Sequence, residues 1–315
     1  MKMSKKSLHI TNGSVLTNIL KELEYHGDFL TWEEMLCEGP TLFNINSDEF
    51  LKLRADFFNT YYDIDLNIEE IKGVLNILDH AEDYSEIILW FEYDLFCHIN
   101  MIGIINLIYQ KKINLPIYLV SSGRIQGEKA LKGLGELTPN QLKNHFNNKV
   151  NLTNEDIDLA ISVWDIYCGK DHNLLKPYIV KSSNFKYLNN CLKAHLERFP
   201  DSITGLNNLE KNILEIIKEH DIKSINQLLG YAINYQGYYG YGDLQFERLI
   251  ENLNMFFTED KNGIKLNRKG FDALLGQHNF ATEININIQF GGINKLDFQF
   301  NKQENKLVKT IPNVN

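Results

Sequence analysis

At 315 residues the chain is too long for one small core, and two or three domains are expected. Its apolar content of 43% and charged content of 23% exclude a disordered or fibrous chain and describe an ordinary globular protein. A net charge of −9, from 32 basic and 41 acidic side chains, repels phosphate backbones and anionic lipid over most of the surface, so that only a local basic patch would serve nucleic acid.

Ser7-Leu8-His9-Ile10-Thr11 reads as a strand that Asn12-Gly13 breaks. From Ser14, a candidate N-cap, Val15, Ile19, Leu20 and Leu23 recur at helical spacing. Gly27 opens a second strand over 28–32, and the loop Glu33-Glu34-Met35-Leu36-Cys37-Glu38-Gly39-Pro40 follows. Helical periodicity covers about 48–61 and 68–80. The run Ile87 to Phe91 is a third strand that breaks abruptly at Glu92-Tyr93-Asp94, where a helix to Gln110 begins. A fourth strand, 116–121, ends in Ser-Ser-Gly. Strands alternating with helices predict a parallel sheet with right-handed crossovers, a Rossmann-like α/β domain over residues 1–134.

Residues 135–203 read as a helical section, with start signals at Thr138-Pro139 and Thr153-Asn154-Glu155-Asp156. The remainder, 204–315, reads as three helices followed by a hairpin at Asn262-Gly263, a small helix over 268–275 and an alternating β tail. That order predicts a winged-helix-like module with terminal β-strands. Cys37, Cys97, Cys168 and Cys191 share no C-x-x-C spacing, so reduced thiols in a cytoplasmic protein are expected. The basic start 1–6 lacks the apolar segment of a secretion signal, and the apolar run 99–109 is too short to span a bilayer. No membrane partner is expected.

The stretches "LHITNGS", "TWEEMLCEGP", "ILWFEYDLFCHIN", "HLERFPDSITGLNNLE" and "YGYGDLQF" run in order over nearly the whole chain, and in them the sequence resembles a bacterial family known as domain of unknown function 1835. Members often show Asn-Gly-Asp where this chain has Asn12-Gly13-Ser14; if that acid serves a metal, one ligand is missing here. The resemblance implies a cytosolic bacterial protein with this domain order, and it carries no activity with it.

Parallel sheets bind ligands beyond the carboxyl ends of their strands, where the strand order reverses. The tips here offer Glu34, Glu38, Glu92 and Asp94, with Cys37, Cys97 and His98 alongside. Carboxylates beside a phosphate suit a divalent metal such as Mg²⁺ or Mn²⁺. On that reading Glu34 and Glu38 are metal ligands, while Glu92, Asp94, Cys37 and His98 carry the chemistry. Each also has a plainer role. Asp94 suits a helix N-cap, Glu92 a solvated acid or a partner for Arg54, and Cys97 and His98 a packed apolar helix. Asn12-Gly13-Ser14 would turn backbone N–H groups toward an anion, although it matches neither a P-loop nor a G-x-G-x-x-G turn. Trp32 and Trp90 would stack on a base or fill the core.

The third helix of the last section would be the DNA reader of a winged helix, yet it sets Asp243, Glu247 and Glu251 against Arg248. Lys261, Lys265, Arg268 and Lys269 near the wing are better placed for phosphates. Two functions follow. One is an enzyme acting on a phosphorylated or nucleotide-like ligand by metal-assisted hydrolysis at the strand tips. The other is a non-enzymatic ligand-sensing or regulatory protein whose last module contacts nucleic acid or a protein partner. Nothing in the sequence sets the oligomeric state.

Overall fold

The computed structural model describes residues 5–310. Its first part alternates β1 (Lys6–Asn12), α1 (Ser14–Glu22), β2 (Asp28–Trp32), the short β3 (Gly39–Pro40), α2 (Asp48–Tyr62), α3 (Ile68–Leu75), β4 (Tyr84–Phe91), α4 (Leu95–Gln110) and β5 (Ile117–Ser121). The four expected strands lie in one sheet, ordered β2-β1-β4-β5, and all run parallel. Ile10 sits opposite both Leu30 and Leu89, and Leu89 opposite Leu119. Their carboxyl ends therefore share one edge.

Alternation along β4 assigns its two faces. Ile87, Leu89 and Phe91 pack on one side with the apolar face of α4, while Ile88 and Trp90 pack on the other with Leu16 and Leu20 of α1 and Leu142 of α5 (Pro139–Asn147). The chain steps from β1 to β2 in one direction and from β4 to β5 in the opposite one, so the order reverses between β1 and β4. That is where a doubly wound sheet opens a crevice.

Several local expectations need correction. Ser14 is the first helical residue of α1, and Gly13 holds the cap position at φ 96° without a side-chain cap bond. The helical pattern over 68–80 ends as α-helix at Leu75 and tightens into a 3₁₀ stretch, Asn76–Asp83. Beyond β5 the sheet gains an antiparallel edge strand, Val150–Asn151, inside the section expected to be helical. Thr138 and Thr153 do cap their helices, each in a reciprocal capping box.

The last section contains helices Asn208–Glu219, Ile225–Asn234 and Asp243–Asn252, then an antiparallel hairpin, Phe257–Asp260 with Gly263–Leu266, and helix Arg268–Leu274. Its tail forms small sheets. One tail strand, Gln289–Gly291, returns to the first section and pairs in parallel with β3, Phe290 opposite Gly39. One apolar cluster accordingly runs from Leu8 to Leu307, continuous through all three sections. Among the described residues no helix is long and apolar enough to cross a membrane.

Candidate functional site

β4 ends at Phe91 because Glu92-Tyr93-Asp94 turns the chain into α4. Asp94 is the N-cap, its Oδ1 accepting the Cys97 backbone N–H at 2.8 Å. That bond brings the first turn of α4 round so that ligand atoms of Glu92, Asp94 and Cys97 all lie within 4.8 Å of one another. Asn12, at the tip of β1, donates to Cys97 Sγ at 3.1 Å and accepts from Asn100 at 2.8 Å. The group thus sits at the reversal between β1 and β4.

Asp94 is 7% exposed and Cys97 4%. Burial, and then the neighbouring Asp94, push the Glu92 carboxyl up to about 7, against the pull of the Gly135 and Leu134 N–H groups. Asp94 is also raised, by burial, and the Cys97 thiol is pushed well up by burial and then by both carboxylates. A half-buried acid, a buried acid and a buried thiol held this close disfavour one another's charged forms, and a cation among them would reverse that.

A loop of the last section covers this group. The carbonyls of Tyr238 and Tyr239 accept the Leu95 and Phe96 N–H groups at 2.7 and 3.2 Å, which fills donors at the start of α4. Gly240 lies directly on Asp94 at φ 71°, where a Cβ would collide with the carboxylate. Tyr93, Tyr187 and Tyr238 pack together beside it. On the other flank, a Cβ on Gly133 would come within 2.7 Å of Glu92 Oε1, and Leu134 N–H donates to that same oxygen at 2.5 Å.

The other tips differ. Around Gly13 a Cβ would meet nothing within 4 Å, so the start of α1 is open. Beside β2 a cleft of about 310 Å³ opens against α2 and α3, walled by Trp32, Glu33, Glu34, Phe50 and Leu75. Trp90 is fully buried and donates to His9 Nδ1 at 3.0 Å, so it is core.

Glu34 and Glu38 stand apart from the Glu92 group. Glu34 pairs with Arg54 at 3.2 Å, which leaves Arg54 no part in balancing Glu92. Glu38 receives Arg248 at 2.7 Å and is also bonded by the Tyr62 hydroxyl. Burial alone would raise the Glu38 carboxyl, but Arg248, Tyr62 and Arg198 outweigh it and hold the group below the usual range. Cys37 is wholly buried, and burial pushes its thiol up despite nearby Arg198, so it presents neither access nor a thiolate. His98 is buried in α4, with Nδ1 2.9 Å from the Asp94 carbonyl, and burial lowers its pKa to about 4.

The loop 33–40 is a junction, and its principal partners are arginines, Arg54 among them in place of the expected pairing with Glu92. Arg54 donates to the Glu38 and Met35 carbonyls at 2.7 and 2.8 Å. Arg198 donates to the Cys37 carbonyl at 2.5 Å and stacks 4.0 Å over Phe290. The Tyr167 hydroxyl donates to the Leu36 carbonyl at 2.9 Å. Behind Arg198 lies a buried relay: Arg198 to His195 Nδ1, His195 Nε2 to His172 Nδ1, and His172 Nε2 to the Tyr167 carbonyl. Each link has one donor and one acceptor when both imidazoles are neutral, and burial does lower both pKa values, His172 to about 4. Arg54 carried a readable signal. It shares the buried face of α2 with Phe50, Leu51 and Phe57, where a charge demands a partner.

No family model matches the chain, and no curated protein matches it either.

Two carboxylates and a thiolate suit a borderline cation such as Zn²⁺ better than Mg²⁺ or Mn²⁺, which favour all-oxygen sets. Glu92, Asp94 and Cys97 would hold it, with Asn12 and Asn100 orienting the thiol side. These groups fit such an ion in type and spacing.

Proposed function

We propose that the Glu92–Asp94–Cys97 group is the centre of an enzyme acting on a phosphorylated or nucleotide-like ligand by metal-assisted hydrolysis. The observation that carries this reading is the gathering of three potential ligand atoms within 4.8 Å at the strand-order reversal. A cation there would supply Lewis-acid polarisation and a lowered water pKa. The Gly13 N–H is bonded to the Trp32 carbonyl at 3.2 Å, but α1 has no side-chain cap, so the N–H groups of its first turn, from Ser14 on, would face a phosphate oxygen. Glu92, whose carboxyl is raised to about 7 in the metal-free group, would give up its proton on taking a cation, which couples metal binding to pH. The test is hydrolysis of phosphomonoester, phosphodiester and nucleotide substrates by full-length protein loaded with Zn²⁺ or Mn²⁺. Turnover lost in both Glu92→Gln and Asp94→Asn supports the reading; no turnover with any of these classes counts against it.

The covering loop favours a second reading. A ligand reaching Asp94 has to displace Gly240 and the Tyr238 and Tyr239 carbonyls, so binding would be relayed to the last section. That behaviour suits a ligand-sensing regulator, with a winged-helix-like module as its output. Arg248, the basic residue of the helix that would read DNA, is already paired with Glu38, which favours a protein partner over DNA. The resemblance to domain of unknown function 1835 accords with both readings. Three of the stretches that resemble it, 31–40, 195–210 and 239–246, supply many of the residues of the junction and its cover.

A further inference from the structure

Between loop 33–40, the tail strand Gln289–Gly291 and helix Asp243–Asn252 lies a small, largely enclosed cavity of about 20 Å³, lined among others by Arg198, Arg248, Lys295, Tyr241 and Glu38. Arg198 is 1% exposed, and its Nε has no hydrogen-bond partner among the described residues. Arg248 Nη1, in the same wall, is buried and equally unpartnered. Two such donors around one cavity are unusual, because a buried N–H without an acceptor costs about 1–3 kcal/mol, more on a charged group.

The local charge does not balance. Arg198, Arg248 and Lys295 are three cations, and the carboxylates that meet them are Glu38 on Arg248 and Glu210 on Lys295 at 2.7 Å. The neighbouring Arg54–Glu34 pair is already neutral. The remaining polar partners of Arg198 are a carbonyl, His195 and the Tyr241 hydroxyl at 3.1 Å. Glu38 also feels Arg198, but it is already taken by Arg248, and a buried guanidinium without a counter-charge of its own is strongly unfavourable. One water would fit the cavity and satisfy donors, but it would leave a full positive charge uncompensated.

We infer that this cavity is a binding site for one monatomic, monovalent anion of chloride size, held by Arg198 Nε, Arg248 Nη1 and, since it accepts from Arg198, the free hydrogen of the Tyr241 hydroxyl. The room excludes phosphate, sulfate and organic acids. Position fixes the role. The ion bridges a helix end of the middle section to the third helix and tail of the last, so it clamps the sections together beneath the covering loop.

The test is thermal melting of full-length protein in potassium gluconate, with chloride or bromide substituted at constant ionic strength. Tm should rise with either halide and level off, and Arg248→Gln, which removes the surplus charge, should lose that rise. Crystals grown in bromide should show an anomalous peak in the cavity. A Tm indifferent to halide, or a bromide map with no peak between Arg198 and Arg248, overturns the inference. The bromide map of the unmodified protein decides the matter even if Arg248→Gln does not fold.

Discussion

Arg248 places a single Nη2 nitrogen 2.8 and 2.7 Å from the two carboxylate oxygens of Glu38, so the third helix of the last section is fastened to the loop beyond β2 by a buried ion pair. Stripping one partner from such a pair is expected to cost about 3–5 kcal/mol, because the other charge stays buried. Arg248→Ala should therefore lower the urea midpoint sharply. Arg248→Met combined with Glu38→Leu should recover most of that loss. A single Arg248→Ala variant as stable as the parent would contradict the assignment.

The acids at the strand tips act in the opposite sense to Glu38. The lowered folded pKa of Glu38 contributes stability that is present above its unfolded value, near 4.5, and is lost as pH falls through the folded one. Glu92 is raised from 4.5 to about 7, so metal-free protein should lose stability as pH rises between those values. The loss is about 3 kcal/mol at most. Glu92→Gln should flatten that limb of a pH–stability curve and melt higher at pH 8. A curve still rising through pH 7 in metal-free protein would show that Glu92 is not held protonated.

How far the sequence could be read follows from the range of each interaction. The parallel sheet was legible because Leu8, Ile10, Ile87 and Leu89 belong to apolar runs long enough to mark strands on their own. Val150–Asn151 and Gly39–Pro40 span two residues each, too few to show a period, and pairing with distant strands alone makes them visible. The site was half legible. Glu92-Tyr93-Asp94 announced a strand-to-helix corner, and Cys97 lies three residues further on, one helical turn away. Glu34 and Glu38 looked equivalent to them because the sequence does not show that Arg54 and Arg248 fold onto those two. Arg198 was harder still, since only His195 is near it in sequence, while the Cys37 carbonyl and the Tyr241 hydroxyl lie far along the chain.

Asp94 caps α4 and also belongs to the candidate centre, and two substitutions separate the roles. Asn caps about as well as Asp, so Asp94→Asn should keep the helix while removing a buried charge. Its stability in metal-free protein should equal or exceed that of the parent. Asp94→Ala should be about 1 kcal/mol less stable than Asp94→Asn in chemical denaturation. Equal stabilities would remove the cap from the account.

The cover over Asp94 depends on Gly240, which has both a positive φ and no room for a Cβ. Gly240→Val should lift the loop and free the Leu95 and Phe96 amides from Tyr238 and Tyr239. Native-state hydrogen exchange should then quicken at those two amides while the β1 and β4 ladder stays protected. Unchanged exchange at Leu95 and Phe96 would mean that the loop does not rest on the helix start.

The most direct test of the proposed centre is metal binding itself, followed by Tm and by anomalous diffraction at the zinc edge on protein purified without chelator. The account predicts a saturable rise in Tm with Zn²⁺, larger above about pH 7 where the ligands shed protons more readily. It also predicts an anomalous peak bounded by Glu92, Asp94 and Cys97, and loss of the rise in Cys97→Ser combined with Asp94→Asn. A Tm unmoved by Zn²⁺ and Mn²⁺ across that pH range, with no peak among these three residues, would contradict it and leave Asp94 as a helix cap beneath a closed loop.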